Sequence, residues 1–284
     1  TLLLCFVSFL TNAQNITVAS GKSFTIEKTG SVTMSGNFSN AGTFTLNSDS
    51  NEFSSIIIGG SVITGNITYN RYVNSVGTNE WDLIGSPVSG QSINSFVSAN
   101  ASTLATNGNT YAIGFYNNSN NTWTNFTSSD LEGEEGSINF PVGLGFQMGT
   151  IANGTGILSF TGAPAATNQT SYIINSDAAN SGAGTRWNLV ANPFPSYIHA
   201  NTNADSSNNF LTVNSDKLDD SYKAIYGYDA DGIGSQYTVY NNTSAALRLA
   251  PGQAFMVASN NTEDDTVSFT TAMRTIAGGD DFIV

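Results

Sequence analysis

Chemistry needs particular side chains, and this chain offers few of them. His199 is the only histidine and Cys5 the only cysteine in 284 residues. A catalytic base needs a nucleophile and an orienting acid. His199 stands twelve residues after Trp187, and Ile93 stands twelve after Trp81. An apolar counterpart marks a half-buried packing place, so no catalytic residue is assigned. One histidine and one cysteine cannot assemble a zinc site of the usual kinds. No nucleophile elbow, phosphate-binding loop or dinucleotide fingerprint occurs in strand–helix context.

Two acidic stretches invite a cation. "SSDLEGEEGS" holds Asp130, Glu132, Glu134 and Glu135. It reads first as a solvated loop, then as a calcium site, and last as an acid–base pair for glycoside cleavage. "DADG" supplies Asp229 and Asp231. An EF-hand loop needs glycine sixth and glutamate twelfth. Counted from Asp229, Gly232 comes fourth and Tyr240 twelfth, so a hairpin tip explains the stretch better. Calcium is the one cofactor these residues suggest.

Aromatic rings give the other candidates. Flat rings stack on the CH faces of sugars, with Asn and Asp nearby for hydroxyls. Tyr116 and Trp123 flank an Asn-rich turn, and Tyr237 and Tyr240 follow the equivalent turn further on. Trp123 has no tryptophan counterpart there. The plainer reading makes these rings cross-strand pairs that stabilise hairpins.

The elements that must position these residues are strands. Charged residues make up 10% of the chain, against about 25% in ordinary globular proteins. Asn, Ser, Thr and Gly supply the polarity, and they suit turns and pleated surfaces rather than helices. The chain is therefore expected to be all-β. With a net charge of −13 and only eight Lys plus Arg, it offers no basic patch for nucleic acid or an anionic membrane. The opening "TLLLCFVSFLTNAQN" has the apolar core and small-residue cleavage site of a secretory signal peptide over residues 1–13, without a basic n-region. Cleavage there removes Cys5 and leaves no disulfide and no membrane-spanning segment.

Residues 14–76 carry Gly-x-apolar pairs at Gly30/Val32, Gly36/Phe38, Gly42/Phe44, Gly60/Val62 and Gly65/Ile67. Apolar residues alternate between them. Short strands with tight turns follow, as a small β-solenoid or a meander of hairpins. Beyond them, three landmarks recur in order. Trp81-Asp-Leu-Ile-Gly-Ser-Pro87 matches Trp187-Asn-Leu-Val-Ala-Asn-Pro193, "GFY" matches "YGY", and "PVGLGFQM" matches "APGQAFMV". Phe160 follows Gly143 by 17 residues, and Phe269 follows Gly252 by 17. Two tandem repeats of β-sandwich type are expected, at 77–170 and 171–284. A duplicated Trp reads as a packing requirement, with the Leu two residues on sharing its face. Little has helical spacing apart from a turn at Ile93–Val97.

The signal peptide ending in "NAQ", the Gly-rich unit leading into "TYNRYV", "WDLIGSPVSGQSI" and the series "RWNLVANPFPSYI … APGQAFMV … SFTTAMR" together resemble secreted and cell-surface proteins of the Bacteroidetes phylum. Many of these are cargo of the type IX secretion system. They usually end in a separate C-terminal sorting domain, and none is visible before Val284. The resemblance implies extracellular β-sandwich modules of adhesins, surface layers or polysaccharide-degrading enzymes. The first expectation is a non-enzymatic surface module for structure or adhesion, with polysaccharide or other surface proteins as partners. A carbohydrate-binding module built on the aromatic hairpins comes second, and a glycan-active enzyme using the acidic loop third.

Overall fold

The structure, a computed structural model, describes residues 12–77, 81–177, 184–228, 237–276 and 278–281. Most of the expected leader, with Cys5, lies outside the described residues, as do Asp229 and Asp231. Among the described residues 43% are strand and 9% helix, so the protein is all-β.

The Gly-rich unit begins with β1 (Asn12–Ala13), β2 (Ile16–Val18) and β3 (Ser23–Ile26). β1 takes up the last two residues assigned to the leader. Next come β4 (Ser31–Met34), β5 (Phe38–Asn40) and β6 (Thr43–Asn47), then β7 (Ser55–Ile58), β8 (Ile63–Thr64) and β9 (Ile67–Tyr72). A meander would pair neighbours antiparallel. Here each strand pairs parallel with the one three strands on, giving the ladders β1-β4-β7, β2-β5-β8 and β3-β6-β9. Like residues stack: Ile16 on Phe38 on Ile63, and Ile26 on Leu46 on Tyr69. The Phe24 and Phe44 rings lie 4.9 Å apart and nearly parallel. Gly36 and Gly60 occupy stacked corners. A Cβ on Gly60 would sit 2.2 Å from the Gly36 carbonyl oxygen, which is why glycine recurs there.

The first repeat contains β10 (Asp82–Ile84), α1 (Ile93–Ala99), β11 (Thr106–Asn107), β12 (Thr110–Asn117) and β13 (Thr122–Thr127). α2 (Ser128–Glu132), α3 (Glu134–Ser137), β14 (Phe146–Met148) and β15 (Ile157–Gly162) complete it. α1 forms because Ser92 caps it, accepting from the Ser95 N–H, while Ile93, Phe96 and Val97 share one buried face. The second repeat runs through β16 (Gln169–Ile173), β17 (Trp187–Ala191), β18 (Tyr197–His199) and α4 (Phe210–Val213). β19 (Ile225–Tyr228), β20 (Tyr237–Tyr240), β21 (Arg248–Leu249), β22 (Ala254–Ala258), β23 (Asp265–Phe269) and β24 (Arg274–Thr275) follow.

The sheets of the two repeats correspond. β10-β14-β12-β13 and β17-β22-β19-β20 share one order, and β11 adds to β12 in the first. The expected boundaries shift, because β15 pairs with β9 and β23 with β16, and each of these partner strands lies before its repeat's tryptophan. β9 therefore belongs to the Gly-rich ladder and to the first repeat at once. The boundary expected at 170/171 falls inside β16. One core runs from Val18 to Phe160 across the Gly-rich unit and first repeat, and a second fills repeat two. Burying each large apolar side chain there contributes about 1.5–3 kcal/mol. Arg71 ties the units together: its Nε donates to the Pro251 carbonyl at 3.1 Å, and its guanidinium pairs with Asp281.

A third apolar layer lies between the repeats. In β17, Val190 faces the repeat's own core, while Leu189 and Ala191 turn outward and meet Leu83 of β10. The contacts around this layer are reciprocal. Ile84 bridges Gln253, and Val190 bridges Leu144. The Gly85 N–H donates to the Gly252 carbonyl at 2.7 Å, and the Ala191 N–H donates to the Gly143 carbonyl at 2.8 Å. These are matching positions of the two repeats, so each contact is the image of the other. That is the logic of an isologous two-fold interface, written within one chain. The Trp-Leu-Pro segment occurs twice because each copy grips the turn of the other repeat.

Candidate functional site: an aromatic groove between two hairpins

The hairpins β12–β13 and β19–β20 each carry an aromatic pair at the same place. Tyr116 stands opposite Trp123, with ring centroids 5.2 Å apart. Tyr228 stands opposite Tyr237 at 5.5 Å. The residue matching Trp123 is Tyr237, a tyrosine rather than a tryptophan. Each pair sits where cross-strand neighbours stabilise a hairpin. The two hairpins also approach one another, and a cavity of about 520 Å³ opens between them. Tyr116, Trp123, Tyr237 and Tyr226 line it, with Trp187 and Met256 from the neighbouring strands and Asn121, Thr185 and Val239 at its sides.

Polar contacts brace the walls. The Tyr116 hydroxyl donates to Asn121 Oδ1 at 2.8 Å, so the Thr185 hydroxyl, also 2.8 Å away, donates to Tyr116. Asn121 has φ 57°, a left-handed turn conformation that asparagine tolerates. The turn before it is pinned to the second repeat through Asn118, whose amide donates to the Ile174 carbonyl at 2.9 Å. Burial pushes the phenols of Tyr116, Tyr226 and Tyr237 above their usual range, so all three stay neutral at physiological pH. No Asp, Glu, Lys or Arg among the described residues lines the groove. Arg186, next to Trp187, is held by Asp219 at 2.5 Å and by Asp177 at 3.3 Å.

Three of the four aromatic candidates therefore meet in one place. Tyr240 does not. It lies three residues beyond Tyr237 in β20, which turns it to the opposite face, where it packs on the core of repeat two. Sequence reasoning placed Trp187 in the core, yet it is only half-buried and lines the groove. It does share a face with Leu189, as its spacing requires, but that face lies between the repeats. Trp81 is half-buried too. Tyr226 was passed over as part of a repeat landmark. Its place in β19, with Ile225 in the core on the opposite face, is the signal that could have found it.

The acidic stretch is short helix rather than open loop. Asp130 closes a capping box with Thr127 at the start of α2, accepting from the Thr127 N–H at 2.7 Å. Those hydrogen bonds hold its carboxyl below the usual range. Glu132, Glu134 and Glu135 are exposed, and none of them lines the groove. Among the described residues, no three His, Cys, Asp or Glu side chains come together as a cation site. His199 is half-buried in β18 beside Arg248, and desolvation lowers its pKa. Among the described residues, no helix is long and apolar enough to cross a membrane.

The arrangement can hold a flat, weakly polar ring between aromatic faces. Among the described residues, it assembles no nucleophile with a base. Neither the curated proteins nor the solved structures compared with this chain gave a match. A family model does match, over residues 6–283. The chain belongs to that family, which is described as a domain of unknown function (DUF8693).

Proposed function

We propose that this chain is a non-enzymatic extracellular or cell-surface module that holds a saccharide in the groove between its two hairpins. The observation carrying this reading is the convergence of Tyr116, Trp123 and Tyr237 on one cavity with Trp187 and Tyr226. Such a mixture of rings and a few polar groups, in a volume within the range of small-ligand sites, is what a sugar requires. The leader-like N-terminus, the scarcity of lysine and arginine and the resemblance to secreted Bacteroidetes proteins support the extracellular setting. Adhesion or a structural role at the surface is compatible with such binding.

A glycan-array and polysaccharide pull-down screen on residues 14–284, with and without calcium, tests the reading. Retention that Trp123→Ala weakens about tenfold, and that calcium does not change, is the expected result. Retention that needs calcium and survives Trp123→Ala moves the site to the acidic stretch. Absence of retention on every glycan refutes the saccharide reading and turns the search to protein partners.

A further inference from the structure

The groove also constrains which saccharide it takes. Carboxylated or sulfated sugars require a cationic partner once water is displaced, and arginine or lysine is the usual one. The described lining supplies no such group. The nearest cation in sequence, Arg186, is already paired with Asp177 and Asp219. The residues joining Tyr228 to Tyr237 include Asp229 and Asp231 and no Lys or Arg. A net charge of −13 repels anions further at low salt.

The aromatic surface also continues past the cavity. The Trp187 ring meets Tyr226 edge-on at 4.6 Å and Tyr222 at 5.6 Å; Tyr222 is 41% exposed, and the paired Arg186 guanidinium lies over one face of its ring at 5.4 Å from the centroid, leaving the other face for a sugar. Trp123, at 37% exposure, lines the same cavity. Trp123 and Trp187 thus line one cavity, and Tyr222 adjoins Trp187 beyond it. Tyr116, Asn121 and Thr185 bond to one another, and most of the remaining lining is aromatic ring.

We infer that the groove binds an uncharged oligosaccharide chain, with Trp123 and Trp187 as successive stacking platforms and Tyr222 extending the track. This rests on the saccharide reading above.

Affinity electrophoresis of the chain is run through gels holding neutral polysaccharides (xylan, mannan, mixed-linkage β-glucan) or anionic ones (polygalacturonate, alginate, chondroitin sulfate), at low and high salt. Retardation on a neutral polymer alone, unchanged by salt, is expected. Trp123→Ala should weaken it about tenfold, the loss of one aromatic stacking contact. Tyr222→Ala, at an exposed ring where folding is not at stake, should weaken the polymer while leaving a disaccharide unaffected. Retardation on anionic polymers that Trp123→Ala removes would overturn the neutral-chain inference and leave the groove reading intact. Equal affinity for monosaccharide and polymer would overturn the extended track. Failure on every polymer would overturn both.

Discussion

Asn100 clasps Ser159 at both backbone groups: its amide donates to the Ser159 carbonyl at 3.1 Å, and its Oδ1 accepts the Ser159 N–H at 2.7 Å. Asn214 does the same to Ser268, at 3.0 and 2.7 Å. Each asparagine ends a short helix and also bonds that helix's buried phenylalanine carbonyl, Phe96 or Phe210. The clasp fastens each helix to β15 or β23, next to the Phe96–Phe160 and Phe210–Phe269 ring contacts.

Removing a clasp leaves backbone groups of a buried strand without partners. Asn100→Ala and Asn214→Ala should each cost about 2 kcal/mol or more in denaturant unfolding. Because the two sites belong to separate cores, the double variant should lose close to the sum.

The contact between the repeats has room for one Cβ, not two. A Cβ on Gly85 would lie 2.3 Å from the Ala191 Cβ and 2.6 Å from the Leu144 oxygen. Ala191 is the matching residue of Gly85, and it already carries that carbon. Gly85→Ala should destabilise the fold by about 1–3 kcal/mol, and Ala191→Gly in the same chain should restore part of the loss. Thermal melts of the three variants check this.

Trp123 should separate from a core role. Trp123 is 37% exposed, so Trp123→Ala should change stability by less than about 1 kcal/mol. A melting curve close to that of the parent chain, beside weakened glycan retention, is the expected pairing.

Asp82 gives a pH signature. Burial pushes its carboxyl up to about 7 from an ordinary 3.8, against the hydrogen bonds from Asn74. Below 3.8 the group is protonated whether the chain is folded or not. As pH rises toward 7 the unfolded chain ionises first, so the folded state loses stability across that window. The matching residue, Asn188, fills the same place without a charge, its Oδ1 accepting from the Ile174 N–H at 3.0 Å. Asp82→Asn should therefore remove that slope, gaining a few kcal/mol relative to the parent chain between about pH 4 and pH 8. Urea unfolding at several pH values measures it.

Much of the fold was legible because it depends on spacing. The glycines at 36 and 60 mark stacked corners, and the two Trp-Leu-Pro segments mark equivalent strands. The boundaries were not legible, since β9 serves two sheets and only its pairing with β15 reveals the second. Of the site, Tyr116, Trp123 and Tyr237 could be picked out from their turns. Trp187 and Tyr226 could not, because both faces of their strands are covered, and sequence does not say that one cover is a second sheet ending in a groove. Tyr240 lies an odd number of residues from Tyr237, so once both fall in one strand the alternation already puts them on opposite faces.

The most direct test of the groove is the structure of the chain crystallised with a neutral oligosaccharide from the polymer that retains it. A sugar ring stacked on Trp123, with Tyr237 and Trp187 also in contact, is the result this account predicts. A sugar seated elsewhere, on the exposed carboxylates of Glu132, Glu134 and Glu135 for example, with the groove left empty, would contradict it.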